Sequence, residues 1–139
     1  MYEMLRFTGK KSRKTERIVM SLYEHGEQST HEIESLFRGK LGVTSQELGN
    51  ILKKSGLFKI NGHVTVSRYS GSISHSYDIC KWIIDYEGLI KKYRVNEFNP
   101  LATRSQYIIN TDTYELHSLP SLRNTTLWEE IQLTIKKGE

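Results

Sequence analysis

Gln46, Asn50 and Lys53 follow one another at steps of four and three, which would set all three on one side of a helix. Gln and Asn carry the donor and acceptor pair that matches an adenine edge. Lys can donate to guanine or hold a phosphate. Ser45 and Lys54 flank this stripe, and Gly49 inside it would let a large ligand come close to the backbone. The same letters also describe an ordinary solvated helix face. The elements around the stripe have to separate the two readings.

The helix itself is fully specified. Thr44 is a good N-cap, and Glu47 three residues later completes a capping box. Val43 and Leu48 can close a hydrophobic staple, and Gly56 can stop the helix in the left-handed conformation. Leu48, Ile51, Leu52 and Ser55 fall on the side opposite Gln46, Asn50 and Lys53. Two helices precede it. The first follows a lead-in, residues 1–11, whose Leu5 and Phe7 should pack on the body. That helix places Ile18, Val19, Leu22 and Tyr23 on one face and ends at Gly26. Its start carries Lys10, Lys11, Arg13, Lys14 and Arg17. Cations there oppose the helix dipole, so a phosphate-contacting role or a solvated arm would explain them. The second opens with the capping box Ser29 to Glu32, buries Ile33, Leu36 and Phe37, and stops near Arg38-Gly39-Lys40.

After Gly56 the period switches from helical to alternating. Two hairpins compete for the middle strand, one turning at Asn61-Gly62 and one at Ser70-Gly71-Ser72. The second has the better alternation, through Val64, Val66, Ile73 and Ile79, and is favoured, with 57–62 as a linking segment. Residues 79–93 fit a helix capped by Asp78, or a hairpin turning at Tyr86-Glu87-Gly88; the helix is preferred. Residues 96–104 read as a loop. Residues 107–109 and 114–116 read as a hairpin, 118–124 as a loop, and Thr126 to Glu129 as the cap of a last helix.

Helix, helix, helix and hairpin resemble the winged helix-turn-helix superfamily. The run LGNILKKSGLFKINGHVTV is similar to its passage from recognition helix to wing, over residues about 12–80. The resemblance implies that Gln46, Asn50 and Lys53 face a groove, with Ser45 and Lys54 at the edges. It also implies that Arg68 and Tyr69 lie at the wing tip. The remaining residues match no family pattern.

Bulk properties agree with this. The formal charge of +4 is uneven, at +5 over residues 1–75 and −1 over 76–139. One cysteine, Cys80, excludes an intrachain disulfide or a multi-cysteine zinc site. No apolar run reaches the about 18 residues of a membrane helix, and no signal-peptide core is present. The five histidines are scattered, without the i, i+4 pairing of a helical metal site. Phosphate-loop, dinucleotide and nucleophile-elbow motifs are absent. Asp78, Asp85 and Glu87 could hold a nuclease metal, but charged helix faces look the same.

The expectation is therefore an α+β chain. Residues 1–80 form a winged helix-turn-helix domain with a basic arm, and 81–139 form a C-terminal α/β extension for dimerisation or partner binding. Its function would be sequence-specific binding of double-stranded DNA, as a cytoplasmic or nucleoid-associated transcriptional regulator acting as a homodimer. No enzyme activity, cofactor or metal is expected. Lys10, Lys11, Arg13, Lys14 and Lys40 would hold phosphates, while Ser45, Gln46, Asn50, Lys53, Lys54, Arg68 and Tyr69 complete the DNA-binding set. The alternatives are a winged-helix protein-interaction module without DNA and a nucleic-acid-processing enzyme.

Overall fold

The computed structural model describes residues 2–9, 12–37, 44–71, 73–97, 104–122 and 125–137, with side chains except those of 68–70, 73–75 and 134–137. In chain order the elements are β1 (Tyr2–Arg6), α1 (Ser12–His25), β2 (Gln28–Ser29), α2 (Thr30–Phe37) and α3 (Ser45–Lys54). Then follow β3 (Phe58–Ser70), β4 (Ile73–Ile84), α4 (Tyr86–Tyr93) and β5 (Arg94–Val95). β6 (Gln106–Asn110), β7 (Leu116–Ser118), α5 (Leu119–Leu122) and α6 (Thr126–Lys137) complete the chain. The fold is mixed α+β with two antiparallel sheets. Two compact units form, Arg17–Asp85 and the pair of segments Met1–Glu16 and Tyr86–Glu139.

In the Arg17–Asp85 unit, local signals set the helix ends. Gly26 takes φ +78 and its amide reaches the Leu22 carbonyl at 2.9 Å, closing α1 in the left-handed conformation. The Ser29 box forms in both directions: Glu32 N donates to Ser29 Oγ at 3.2 Å, and Ser29 N donates to Glu32 Oε1 at 3.4 Å. Ile18, Val19, Leu22 and Ile33 are buried together with Leu48, Ile51, Leu52, Leu57 and Phe58.

The sheet order is β2-β4-β3, so the last strand of the unit lies in the middle. Trp82 is buried in β4, and its indole Nε1 donates to Thr30 Oγ1 at 2.9 Å. The Thr30 hydroxyl donates in turn to the Cys80 carbonyl at 3.4 Å, tying the start of α2 to β4.

Two expectations are corrected here. Residues 79–84 are strand, because they pair with β3 from Val64↔Ile79 to Phe58↔Ile84, and with β2 at Gln28↔Trp82. The Asp85 amide then donates to the Leu57 carbonyl at 2.7 Å, and a shorter helix starts at Tyr86. Asp78 caps nothing; its carboxylate accepts from the Thr65 hydroxyl at 2.8 Å across the hairpin. Residues 58–62 are likewise part of β3 rather than a link, and Asn61-Gly62 is a bulge opposite Lys81 instead of a turn.

In the other unit the order is β5-β1-β6-β7, so the lead-in is an interior strand, with Leu5 opposite both Arg94 and Tyr107. Leu5 and Phe7 are buried, as are Leu89, Tyr93, Ile108, Ile109, Leu122 and Ile131. Phe7 meets the Tyr93 ring at 4.6 Å and the Tyr107 ring edge-on at 5.4 Å. A hairpin forms over β6 and β7, but its second strand starts at Leu116 and runs to Ser118 instead of the expected 114–116, pairing Ile109 with Leu116 and Tyr107 with Ser118. Asn110 Oδ1 accepts from the Asp112 and Thr113 amides at 2.8 and 3.2 Å, and Tyr114 takes φ +60. A short helix, α5, occupies part of the expected 118–124 loop. Thr125 rather than Thr126 caps α6, accepting from the Trp128 amide at 3.2 Å.

A candidate nucleic-acid interface on the third helix

The N-terminus of α3 is held as its sequence implies, with Thr44 Oγ1 accepting from the Glu47 amide at 3.1 Å. At the other end, the Ser55 amide donates to the Ile51 carbonyl at 3.2 Å and Gly56 turns away at φ +77. Between these ends, Leu48, Ile51 and Leu52 are buried, which fixes the rotation of the helix. The opposite side is therefore forced outward: Ser45, Gln46, Asn50, Lys53 and Lys54 are all exposed. The geometry makes a row of amide, amide and ammonium groups along one helix face.

Gly49 lies in this helix, and a Cβ built on it would meet nothing within 4 Å. No packing or backbone requirement explains a glycine there. Gly49→Ala should raise stability by about 1 kcal/mol through helix propensity, read from urea melts. If a ligand backbone rides close over the helix, the same methyl should weaken binding despite the stabler fold.

The hairpin of β3 and β4 projects from the same unit. It carries polar pairs across the strands: the Thr65 hydroxyl donates to the Asp78 carboxylate at 2.8 Å, and the Ser67 and Ser76 hydroxyls meet at 3.4 Å. One carboxylate holds its base. Glu27 Oε2 accepts from Asn61 Nδ2 at 2.7 Å, and Glu27 Oε1 meets Lys81 Nζ at 2.8 Å. Both strands are thus tied at the level of the bulge, where Gly62 takes φ +94 and its missing Cβ would lie 3.5 Å from the Lys81 side chain. Taking residues 57–62 as a linking segment missed this clamp. The Asn61-Gly62 dipeptide supplies the positive φ a bulge needs, and the Lys81 and Glu27 charges were the available signal.

The Lys81 hydrogen bond, then the Asn61 amide, hold the Glu27 carboxyl below its ordinary value. A folded-state value depressed in this way contributes stability above the unfolded carboxylate range, lost as pH falls through the folded value. Glu27→Gln should therefore melt below the wild type near neutral pH. The gap should close in acid, as followed by circular dichroism across a pH series.

The sequence-derived set is only partly gathered. Ser45, Gln46, Asn50, Lys53 and Lys54 share α3. Arg68 and Tyr69 fall near the end of β3, at register positions opposite His75 and Ser74. Arg13 is exposed and Lys14 half-buried at the start of α1, in the segment assigned to the other unit. Lys10, Lys11 and Lys40 lie outside the described residues. Among the described residues, no group of three or more His, Cys, Asp or Glu side chains could hold a metal ion. No described helix is long and apolar enough to cross a membrane.

No family model matches the chain, and no curated protein does. One solved structure is similar, a candidate nucleic acid binding protein from an uncultured marine organism. It is 31% identical, with a TM-score of 0.41, over 57% of this chain and 89% of that one.

Proposed function

We propose that the Arg17–Asp85 unit is a winged helix-turn-helix module that binds double-stranded DNA and acts by binding alone. The observation that carries this reading is the α3 face. It presents Gln46, Asn50 and Lys53 in an exposed row, with an open glycine among them and the buried side holding the row in place. The element order helix, strand, helix, helix, strand, strand, with sheet order β2-β4-β3, supports the winged-helix part of the reading. In this proposal α3 enters the major groove, where Gln46, Asn50 and Lys53 read base edges and Ser45 and Lys54 flank them. The biological role proposed is sequence-specific transcriptional regulation by a homodimer, in the cytoplasm or nucleoid.

A protein-interaction module is the second reading. It is favoured by the small charge of the helix, whose exposed face offers only Lys53 and Lys54 as cations. Selection of binding sites from a random duplex pool by gel shift separates the two. A recovered motif supports DNA reading, with affinity falling steeply between low and moderate salt as counterions are released. No retention of DNA at low salt would overturn it and leave the interaction module.

A further inference from the structure

The sheet of the Arg17–Asp85 unit has a long open edge. β2 pairs only with Lys81 and Trp82 of β4, and β3 has β4 on one side and no described strand on the other. Natural edge strands are usually protected by proline, charge, shortness or a bulge. The bulge at Asn61 and Gly62 protects the base of β3. Beyond it, residues 63–70 contain no proline and no carboxylate, and Arg68 is the one Lys or Arg among them. His63, Val64, Thr65 and Ser67 are exposed. On one face of this stretch Val64 and Val66 stand opposite Ile79 and Tyr77, and Val64 and Tyr77 remain 36% and 37% exposed. An apolar patch thus runs out to unpaired backbone.

We propose that a second copy of the chain pairs its β3 antiparallel with this strand, about a two-fold axis at Thr65, giving a continuous β4-β3-β3-β4 sheet. The side chains select the register. With Thr65 facing its own copy, Val64 falls opposite Val66 on both sides of the axis, and the apolar patch doubles. Moving the axis by one residue sets Val64 against Arg68 or Val66 against Gly62. An axis falling between residues turns the valine face onto the hydroxyl face. Charge agrees with the chosen register. Arg68 falls opposite Gly62, the two Arg68 positions stand six residues apart, roughly 20 Å, and neither edge carries an acid. A second copy supplies this matching alternation through symmetry alone. The pairing uses none of the α3 face, so it is tested without DNA, and it gives the proposed homodimer a specific surface.

Sedimentation velocity on the full chain, without nucleic acid, tests it. The wild type should sediment as a dimer at micromolar concentration. The variants Val64→Lys with Val66→Lys and Val64→Glu with Val66→Glu should each be monomeric with unchanged far-ultraviolet circular dichroism. Mixing the two should restore a dimer, because every lysine then falls opposite a glutamate. Thr65→Cys in a Cys80→Ser background leaves the valines intact. It should form a disulfide-linked dimer on mild oxidation, since directly opposed strand residues lie within bridging range. A wild type that stays monomeric into the submillimolar range would overturn the proposal. So would a dimer unaffected by the lysine variant, a mixture that stays monomeric, or a Thr65→Cys chain that forms no cross-link.

Discussion

Asn50→Ala should weaken binding to a selected duplex by roughly 1–3 kcal/mol and leave binding to random DNA nearly unchanged, as measured by fluorescence anisotropy on both. The expectation follows from the position of the side chain. Asn50 is exposed at the middle of the α3 row, and no described residue hydrogen-bonds to its amide. Under the proposed DNA reading, its loss therefore removes a base contact while breaking no described side-chain hydrogen bond. Lys54→Ala, at the edge of the row, provides the contrast. If its ammonium holds a phosphate, removing it should weaken both duplexes alike and reduce the salt slope by about one. If Asn50→Ala costs the same on selected and random DNA, the side chain does not read bases.

Trp82→Ala should cost about 3–5 kcal/mol of unfolding free energy, the range for removing a buried large aromatic. Trp82 is 4% exposed, in the strand that β2 and β3 both flank. Its indole also holds the Thr30 hydroxyl at 2.9 Å, so the substitution leaves that hydroxyl short of a donor. Trp82→Phe separates the two contributions: it keeps most of the packing and should cost about 0.5–1.5 kcal/mol for the hydrogen bond. Urea melts followed by circular dichroism check both. A cost below about 1 kcal/mol for alanine would mean that β4 is not the centre of this unit's core.

The helices were legible because their information is local. Thr44 with Glu47, Ser29 with Glu32, and the stops at Gly26 and Gly56 all act within a turn of the helix they end. The structure shows the Ser29 box in both directions, Thr44 Oγ1 accepting from the Glu47 amide, and Gly26 and Gly56 at positive φ. The strands were harder. Ile79, Ile83, Tyr86 and Ile90 carry a helical spacing, yet the backbone of 79–84 is claimed by β3 and β2, partners that the spacing cannot reveal. The lead-in was missed as a strand for the same reason, since its partner lies about a hundred residues away, as in Leu5 opposite Tyr107. The α3 row was legible from periodicity alone. The Glu27 clamp was not, because Glu27, Asn61 and Lys81 are far apart in sequence and meet only through strand pairing.

The interior place of β1 has a consequence for how the protein is made. Tyr2–Arg6 is translated ahead of the rest of its sheet, and its neighbours β5 and β6 are Arg94–Val95 and Gln106–Asn110. Every strand of the Arg17–Asp85 sheet is translated in the interval. The strand must therefore wait, with both hydrogen-bonding edges open, while a complete sheet assembles behind it. Shortening that wait, by moving residues 1–9 to follow residue 139, would change the order of assembly without altering a single strand pairing or cutting α1.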